Sequence, residues 1–460
     1  MSLSIIILAA GEGSRMRSGL PKVLHRLAGR PLLAHVVETA LGLTPRQILI
    51  VHGHGGEAVQ ASLAEAQTAP GIVWVAQDRR LGTGHAVQQC LPHLRDGETV
   101  LVLYGDVPLI GAETLRRLLA GVNAHTLMLL TTTLDEPAGY GRIVRDAGGE
   151  VRRIVEDKDA TAEERAIREI NTGILAVTGA RLRPWLAQLD NANAQGEYYL
   201  TDIIAMAVAE GVKVRTVSPD AAWEVQGVND RTQLAALERI WQRRQAEALM
   251  KAGITLMDPA RFDVRGELRA GRDCLLDINV VCEGRVELGE QVTIGPNVYL
   301  RDVRIGDGAS ILAHSVVEEA EIGAGCQIGP FARIRPGTVC EAGARIGNFV
   351  EVKKSRIGSG SKVNHLSYIG DTLMGKSVNI GAGTITCNYD GANKHRTVIG
   401  DGAFIGSDTQ LVAPVTVGEG ATIGAGSTIT RDAPAGELTL SRAPQKTRPG
   451  WQRPVKKGDV

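Results

Sequence analysis

The spacing of hydrophobic residues changes along the chain. In residues 1–228, short continuous apolar runs alternate with segments whose apolar residues recur at helical spacing. Continuous runs of Val, Ile and Leu are typical of strands buried on both faces of a sheet, and the segments between them of covering helices. We predict an α/β domain with a mainly parallel, Rossmann-like sheet. The predicted strands contain IIILAA, QILIVHG, IVWVAQ, TVLVLYGD, TLMLLTT and INTGILAV.

Residues 229–252 have the pattern of one long helix that links two domains. Asn229 or Asp230 can cap its beginning, and Gly253 follows its end. Such residues are typical start and stop signals. The apolar positions near helical spacing are Leu234, Leu237, Trp241 and Leu249.

Residues 253–460 form a second predicted domain that ends in a C-terminal tail, and its sequence follows a period of six from residue 322 onward. Aliphatic or small residues recur at every sixth position, and many precede a glycine, as in IGAGCQIGPFARI. This period is typical of a parallel β-helix, in which each short strand stacks one aliphatic side chain inside a prism. The unbroken runs are Ile322, Ile328, Ile334, Cys340, Ile346 and Val352, and then Ile399, Ile405, Leu411, Val417, Ile423 and Ile429.

The period of six fails in three places. It slips within residues 300–305 and within 352–357, and TITCNYDGANKHRT interrupts it at 384–397. We expect residues 384–397 to loop out of the coil. A departure from a regular repeat is where function is expected.

Composition excludes some classes of protein. Lys plus Arg and Asp plus Glu are both 51, so nothing indicates nucleic acid or an anionic membrane as a partner. The six cysteines form no Cys-x-x-Cys pair, which indicates reduced thiols. No apolar run approaches the roughly 20 residues of a membrane span. We expect a cytoplasmic protein.

A glycine-rich turn, GEGSRM, follows the first predicted strand. Its N–H groups could hold a dinucleotide or a triphosphate, or the turn could be only a tight loop. A dinucleotide fingerprint needs glycine where Met16 stands, and a Walker A loop needs a Gly-Lys-Ser/Thr ending that is absent. Arg15 and Lys22 place two cations nearby, which suits a triphosphate that loses pyrophosphate.

Polar segments follow three predicted strands, at residues 11–15, 77–83 and 104–106. Ligands of parallel sheets bind beyond the carboxyl ends of the strands, so we expect these segments to converge. Asp106 is a candidate magnesium ligand there, since hard oxygen donors suit a hard cation. In isolation it could equally be a turn or helix-cap residue.

These segments resemble the sugar-nucleotide pyrophosphorylases. The shared motifs are LAAGEGSRM with a following PK, LGTGHA, YGDVP, GYGRIV, VEDKDA, EINTGI, QGEYYLTD and EVQGVND. Combined with GNFVEVKKS, HLSYIGD and NIGAGTITCNYDG, they make the whole chain resemble a family of bifunctional enzymes. The resemblance implies a nucleotidyltransferase domain, a left-handed β-helix and a homotrimer formed through that β-helix.

The resemblance also implies two reactions. Acetyl-CoA acetylates glucosamine 1-phosphate, and UTP then transfers a uridylyl group to N-acetylglucosamine 1-phosphate with release of pyrophosphate. The product is a precursor of peptidoglycan and lipopolysaccharide. A sugar phosphate, with a second pKa of about 6, is an anion near neutral pH, so uridyl transfer requires no general base.

Arg15 and Lys22 are implied to stabilise charge in uridyl transfer, and Asp106 and Asn229 to bind Mg²⁺. Ser14 replaces a more frequent threonine, and Glu12 a frequent cation, which puts a carboxylate near the phosphate loop. The implied nucleotide contacts are Leu8, Ala9, Ala10, Gly11, Lys22, Gln77, Gly82, Thr83, Tyr104, Gly105 and Asp106, and the implied sugar-phosphate contacts are Gly141, Glu156, Asn171 and Asn229.

Acetyl transfer needs a neutral amine, so a general base is expected. His314 lies in a regular repeat and His395 in a polar loop, whereas His365 matches the family's catalytic histidine. Glu351 is a candidate to orient His365. The implied sugar-phosphate contacts are Arg335, Lys353, Tyr368 and Asn379, and the implied acetyl-CoA contacts are Ala382, Asn388, Tyr389, Ser407, Ala425 and Arg442.

Alternatives remain at this stage. The β-helix could serve only oligomerisation or regulation of another sugar-1-phosphate nucleotidyltransferase, although His365 and CNYDG argue against this. A non-enzymatic scaffold is a second alternative, and the presence of Lys22 and Asp106 argues against it.

The pair His52 and His54 fits a loop better than a metal site. The Pro/Gly-rich tail predicts disorder, with residues 442–448 implied to touch CoA.

Overall fold

The computed structural model describes residues 2–11, 13–53, 55–63, 71–454 and 456. The chain forms two compact units, Met1–Trp241 and Gln242–Val460. Glu12 and His54, which the sequence singles out, lie outside the described residues.

The first unit contains a mixed sheet with the strand order β11-β7-β10-β6-β1-β4-β5. Strand β1 pairs in parallel with β4 and β6, as the continuous apolar runs predict. The strands are β1 (Leu3–Ala9), β2 (Arg26–Leu27), β3 (Arg30–Pro31), β4 (Gln47–His52), β5 (Ile72–Ala76), β6 (Thr99–Tyr104), β7 (Thr126–Thr133), β8 (Arg142–Arg145), β9 (Val151–Val155), β10 (Glu169–Thr178) and β11 (Lys213–Val217).

Strand β10 runs antiparallel to both of its neighbours, β6 and β7. The β8–β9 hairpin attaches to β10 through the pair Ile170 and Arg142. The sequence predicts the strand INTGILAV but not its direction, because an apolar run buried on both faces reads the same either way.

Helices cover both faces of this sheet, as predicted. One core contains side chains from α1, α2 and α4, and the other contains side chains from α3, α6 and α7. Among the described residues up to 230, the α-helices are α1 (Leu32–Leu41), α2 (Gly56–Ser62), α3 (Thr83–Gln88), α4 (Ala112–Ala120), α5 (Ala162–Arg165), α6 (Gly179–Gln188) and α7 (Ile203–Ala209).

The predicted linking helix is α8 (Arg231–Lys251), and the division between the units falls within it. The Asp230 carboxylate accepts from the Gln233 N–H (2.8 Å), so Asp230 caps the helix. Gly253 follows with φ +96°, a left-handed conformation that stops the helix.

The second unit is a parallel β-helix, as the period of six predicts. Each coil contributes strands to three ladders. The strands are β12 (Thr255–Leu256), β13 (Phe262–Ala270), β14 (Leu275–Leu276), β15 (Val280–Leu288), β16 (Thr293–Ile294), β17 (Tyr299–Ile305), β18 (Ser310–Ile311), β19 (Val316–Glu318), β20 (Ala320–Ile322), β21 (Gln327–Ile328), β22 (Arg333–Ile334), β23 (Thr338–Cys340), β24 (Arg345–Asn348), β25 (Glu351–Lys353), β26 (Arg356–Ile357), β27 (Lys362–His365), β28 (Tyr368–Gly370), β29 (Thr372–Met374), β30 (Asn379–Ile380), β31 (Ile385–Cys387), β32 (Thr397–Ile399), β33 (Phe404–Ile405), β34 (Gln410–Val412), β35 (Val415–Val417), β36 (Thr422–Ile423), β37 (Thr428–Ile429) and β38 (Leu438–Thr439).

We name the ladders faces A, B and C. Face A is β12-β14-β16-β18-β21-β24-β27-β30-β33-β36-β38. Face B runs from β17 through β19-β22-β25-β28-β31-β34-β37, and face C runs from β17 through β20-β23-β26-β29-β32-β35. Equivalent residues of successive coils pair directly, as Ile328 does with Ile346 and Ile346 with Val363.

The two predicted slips lie at the corner between faces B and C. Asp302 and Lys354 occupy that corner with φ of +50° and +46°. A left-handed residue turns the chain more tightly, so five residues rather than six separate the buried positions Val352 and Ile357.

The prediction that residues 384–397 leave the coil is wrong in extent. Strand β31 stays in face B, where Thr386 pairs with Leu411, and Thr397 already belongs to face C. The buried Thr386 hydroxyl replaces the aliphatic side chain of the repeat and accepts from the Gly370 N–H (2.7 Å). A hydrogen-bonded polar group in the core therefore interrupts the hydrophobic pattern while the coil continues. The segment that does leave the coil is residues 388–396, which we name the excursion.

Candidate active sites

The glycine-rich turn begins where β1 ends and packs against the end of β6. The Gly105 N–H donates to the carbonyl of Leu8 (2.9 Å), which brings residues 104–106 beside the turn. Gly13 has φ +63°, and a Cβ there would lie 2.6 Å from Lys22 Cβ. Only glycine satisfies both conditions, so the turn holds Lys22 close to it.

Four predicted residues meet beside this turn. Lys22 Nζ forms an ion pair with the Asp106 carboxylate, and both side chains are largely buried. Asn229 Oδ1 accepts from Lys22 Nζ (3.2 Å) and from Arg15 (3.0 Å). Arg15 and Lys22 lie in the 3-10 helices Ser14–Met16 and Lys22–Leu24, whereas Asn229 directly precedes the cap of α8. The site therefore combines segments that are more than 200 residues apart.

The oxygens of Asp106 and Asn229 converge on one ammonium group, Lys22 Nζ. Two hard oxygen donors aimed at one cation also fit a divalent metal ion, with further ligands from phosphate oxygens. Within the described part of the chain, no group of three or more His, Cys, Asp or Glu side chains is arranged to hold a metal by itself. His52, of the His52 and His54 pair, contacts Gln60 (3.5 Å) and packs against Trp74.

Gln77, Gly82 and Thr83 lie together at the end of β5 and the start of α3. Gln77 Nε2 donates to the carbonyl of Gly82 (3.1 Å). Thr83 Oγ1 accepts from the Leu200 N–H (3.2 Å), and a Cβ on Gly82 would lie 2.6 Å from the Tyr198 carbonyl oxygen. The segment 198–200 thus fixes this part of the candidate nucleotide site.

The predicted sugar contacts lie where β10 is distorted. The Asn171 N–H donates to the Gly141 carbonyl (2.8 Å), and the register of β10 shifts between Asn171 and Leu175. A Cβ on Gly141 would lie 3.5 Å from both carboxylate oxygens of Glu156. These three residues are therefore neighbours, as the resemblance implies.

The carboxyl of Glu156 lies in an unusual environment. Burial raises its pKa, and the negative charges of Asp202, Asp159 and Asp157 act in the same direction. The Thr201 hydroxyl donates to Glu156 Oε1 (2.9 Å) and partly opposes the shift.

The sequence reasoning missed two residues of this site. The pKa of Tyr140 is raised by burial and by Asp106 and lowered by Arg15, which places its phenol near both groups. The buried Arg142 donates to the Tyr140 carbonyl and to Asp157 Oδ1 (3.0 Å), and so ties together the chain on either side of Gly141 and Glu156. The signal available was an arginine within the apolar GYGRIV segment.

In the second unit, His365 lies at the corner between faces A and B. Asn348, one coil earlier, pairs with it in the ladder. Strand β27 pairs with β30, β30 with β33, and β33 with β36. The residues at the same corner of the later coils are therefore Ala382, Ser407 and Ala425. Arg442 donates to the Ala425 carbonyl (3.0 Å) at the end of this line.

The prediction that Glu351 orients His365 is wrong. His365 Nδ1 lies 3.2 Å from Asn348 Oδ1, and Glu351 instead pairs with Arg335 (2.7 Å). The reason is the side-chain alternation of a strand, in which Glu351 points outward from face B toward the cation of the preceding coil. His365 itself is exposed.

Cations gather on face B. Arg335 and Lys353 occupy equivalent positions of successive coils, and Tyr368 lies on the next coil. Lys394 of the excursion, more than burial or Arg335, lowers the pKa of Lys353, so a third cation lies beside them. The sequence analysis missed Lys394 because its excursion returns to the coil through tertiary contacts. Asn379 lies on face A, next to Lys362 and Phe404.

The excursion is tied to the coil through Asn388. Its amide donates to Asp371 Oδ2 (2.6 Å) and to the Tyr368 hydroxyl (3.4 Å). Tyr389 projects outward and its hydroxyl donates to the Gly391 carbonyl (2.6 Å). His395, expected to be a polar loop residue, pairs with Asp390 (2.6 Å) inside the excursion.

Exposed apolar side chains occupy the corner beside His365. His314, expected at a solvated coil position, is exposed, and its ring stacks on Phe331 (4.8 Å between ring centroids), which in turn stacks on Phe349 (5.3 Å). Phe331, Phe349 and Leu366, which we name the apolar ladder, are 47%, 56% and 63% exposed. All three have positive φ.

None of the described helices is both long enough and apolar enough to cross a membrane. The described residues from 440 onward form no helix or strand.

Comparison with known proteins gives matches to both units. A family of MobA-like NTP transferase domains matches residues 5–201, and bacterial transferase hexapeptide repeats match residues 396–431. The bifunctional protein GlmU of Aromatoleum aromaticum is 61% identical over 455 residues, 99% of both chains. The GlmU proteins of Alkalilimnicola ehrlichii and Methylococcus capsulatus are 59% and 62% identical and cover 100% and 99% of this chain, and 98% of their own length.

Proposed function

The chain belongs to the family of bifunctional GlmU proteins, and on this premise we propose how its residues divide the synthesis of UDP-N-acetylglucosamine. The enzyme is a glucosamine-1-phosphate acetyltransferase and an N-acetylglucosamine-1-phosphate uridyltransferase. The match of residues 5–201 to nucleotidyltransferases supports placing uridyl transfer in the first unit. The hexapeptide match supports placing acetyl transfer in the second.

In the first unit, a phosphate oxygen of the sugar phosphate attacks the α-phosphorus of UTP. The bond from that phosphorus to the bridging oxygen breaks, and pyrophosphate leaves with the electron pair. Both reactants are anions, so the site must relieve repulsion and align the attack. The observation that carries this proposal is the convergence of Arg15, Lys22, Asp106 and Asn229 beside a turn of backbone donors.

Asp106 and Asn229 would hold Mg²⁺, which neutralises triphosphate charge when bound. Lys22 Nζ already lies against these oxygens, so Lys22 is placed to exchange its contact with Asp106 for one with phosphate. Gly141, Glu156 and Asn171 would bind the acetylated sugar, and Gln77, Gly82 and Thr83 the nucleotide.

In the second unit, the amine of glucosamine 1-phosphate attacks the thioester carbonyl of acetyl-CoA. The carbon–sulfur bond breaks, CoA thiolate leaves, and the amine proton passes to His365. Asn348 Oδ1 accepts from His365 Nδ1–H, which leaves Nε2 without a proton and free to act as the base. The hydrogen bond to Asn348 carries this assignment.

The cations of face B, Arg335 and Lys353, together with Lys394, would bind the sugar phosphate. The line of Ala382, Ser407 and Ala425 would hold acetyl-CoA, with Asn388, Tyr389 and Arg442 at its edges. Equivalent corners of parallel coils stack roughly 4.8 Å apart, which gives an extended ligand a straight groove beside His365. Tyr368 and Asn379 complete the predicted contacts to the sugar phosphate.

Two variants test the assignment of one reaction to each unit. Lys22→Ala is expected to reduce pyrophosphate release from UTP about 10²–10³-fold, as the loss of a transition-state charge does. It should leave release of CoA from acetyl-CoA unchanged. His365→Ala should reduce the release of CoA from acetyl-CoA and leave the release of pyrophosphate from UTP unchanged. Each variant's other reaction is its folding control, and near-normal activity in the reaction assigned to the altered residue would contradict that residue's role.

The apolar ladder supports a homotrimer formed through the β-helix. A left-handed backbone is unfavourable for bulky side chains and costs on the order of 1–3 kcal/mol at each residue. Asn279 and Asn297 occupy this corner in earlier coils, where asparagine tolerates it. Exposed Phe331, Phe349 and Leu366 in this conformation are explained if a second copy of the chain covers them beside His365.

A further inference from the structure

The imidazole of His85 lies between two glutamine amides. Gln77 Nε2 is 3.1 Å from His85 Nδ1, and Gln89 Nε2 is 3.2 Å from His85 Nε2. Each ring nitrogen therefore faces an amide nitrogen, which can only donate.

Backbone carbonyls fix the direction of both amides. Gln77 Nε2 also donates to the Gly82 carbonyl (3.1 Å), and Gln89 Nε2 to the His85 carbonyl (3.1 Å). Rotating either amide by half a turn would place its own oxygen against a carbonyl oxygen. Both NH₂ groups consequently point at the ring.

A neutral imidazole can accept at one nitrogen only. Gln77 is 5% exposed, whereas Gln89 lies partly at the surface and can exchange its ring contact for water. His85 Nδ1 is therefore the acceptor, and it accepts from Gln77. Burial lowers the pKa of His85, which keeps the ring neutral, as this arrangement requires.

The Gln77 side chain thus has its NH₂ group doubly engaged and its oxygen free. Among the described residues, Gln77 Oε1 has no hydrogen-bond partner, and it is not one of the buried unpartnered atoms, so it reaches solvent. A nearly buried amide with an outward-facing oxygen offers a ligand an acceptor and not a donor.

We propose that His85 is a positioning residue that holds the oxygen of Gln77 toward the base of the bound nucleotide and thereby selects uracil. The inference rests on the proposed contact of Gln77 with the nucleotide. Uracil in a nucleotide has one ring N–H, at N3, and only this group can donate to Gln77 Oε1. Cytosine has an unprotonated N3 there, which would oppose the same oxygen, so the orientation that His85 enforces favours UTP over CTP.

The test is the ratio of kcat/KM for UTP to that for CTP. In His85→Phe the ring shape remains without an acceptor, and Gln77 can turn. We expect the ratio to fall about tenfold, the value of one hydrogen bond, through a higher KM for UTP with kcat little changed. His85→Asn places an oxygen near the position of Nδ1 and should restore the ratio. Gln89→Leu removes the other ring contact and should leave the ratio unchanged.

His85→Ala, which adds no bulk, is measured in parallel, so that a folding defect in His85→Phe does not decide the outcome. Acetyl transfer by the same chains is the control for folding. A wild-type ratio in His85→Ala, or a lowered ratio in His85→Asn equal to that in His85→Ala, would overturn the inference. Gln77→Ala tests the contact of Gln77 with the base separately from the role of His85. An unchanged UTP-to-CTP ratio in this variant would overturn the proposed base contact itself.

Discussion

Lys22 shows how one side chain can serve two states of a site. Its ammonium group lies against Asp106 and Asn229, the two residues proposed to hold Mg²⁺. An ammonium ion at that point screens oxygens that would otherwise face each other within a partly buried site. With phosphate and metal bound, the same group would be placed to contact the transferring phosphates, and the ion pair would then pre-organise a charge that the proposed reaction needs.

At the residue scale, Glu156→Gln should stabilise the folded chain and impair uridyl transfer. The folded state holds a proton on Glu156 at pH values where the unfolded state, with a pKa of about 4.3, has released it. The stability contributed by this carboxyl therefore falls as the pH rises above 4.3, and the amide removes that loss. Denaturant unfolding between pH 4 and pH 8 measures the effect.

The gain in free energy of unfolding should be absent near pH 4 and grow toward neutral pH. Glu150→Gln, at an exposed carboxyl, should show no such trend. A Glu156→Gln variant with unaltered KM for N-acetylglucosamine 1-phosphate would contradict the proposed sugar contact while leaving the electrostatic argument intact.

A second prediction at this scale concerns Asn348. Without its oxygen, the His365 ring loses the acceptor that keeps the proton on Nδ1, so part of the population has the proton on Nε2. Asn348→Ala is expected to lower kcat of acetyl transfer about tenfold with little change in KM, since one hydrogen bond is at stake. Asn348→Asp, which keeps an acceptor, should recover most of kcat. An unchanged kcat in Asn348→Ala would remove Asn348 from the mechanism.

At the scale of an element, the excursion depends on one anchor. Asn388 is buried and donates to the Asp371 carboxylate, while Lys394, further along the excursion, lies beside Lys353. Asp371 has φ +49°, so glycine fits its backbone and removes only the carboxylate. Asp371→Gly should raise the KM for glucosamine 1-phosphate several-fold by loosening the excursion.

The matched control is Asp302→Gly, at the equivalent corner of an earlier coil with φ +50°. Its carboxylate accepts from the Arg285 N–H and does not involve the excursion. Acetyl-transfer kinetics of the two variants should differ, and equal KM values would show that Asn388 does not need this anchor.

At the scale of the whole molecule, the apolar ladder predicts an assembly. Replacing Phe331 and Phe349 by asparagine removes the exposed rings and suits the left-handed backbone better. Light scattering should then show a smaller assembly than the parent, although the free energy of unfolding of the chain does not fall. Acetyl transfer should decline with the assembly, because the ladder adjoins Asn348 and His365.

Leu373→Asn is the control for that experiment, since Leu373 is also exposed but lies on face C. It should leave the size of the assembly unchanged. A double variant at Phe331 and Phe349 with the mass of the parent would show that another surface joins the copies.

Much of the fold can be read from the sequence because burial repeats at short range. An apolar run such as TVLVLYGD specifies a strand buried on two faces, and an aliphatic residue at every sixth position specifies a coil with three strands. The cap Asp230 and the stop Gly253 are local signals as well. The candidate site residues Lys22, Asp106 and His365 could be named because they stand in motifs that resemble a family.

Only the tertiary structure decides which side chains touch. Asn348 and not Glu351 lies against His365, since the register of adjacent coils places residues 17 apart side by side. The direction of β10, the return of Lys394 to Lys353 and the meeting of Gln77 with His85 likewise depend on pairing between segments distant in sequence. Hydrophobic periodicity records whether a residue is buried, but it carries no information on which partner it meets, and the partners determine the chemistry.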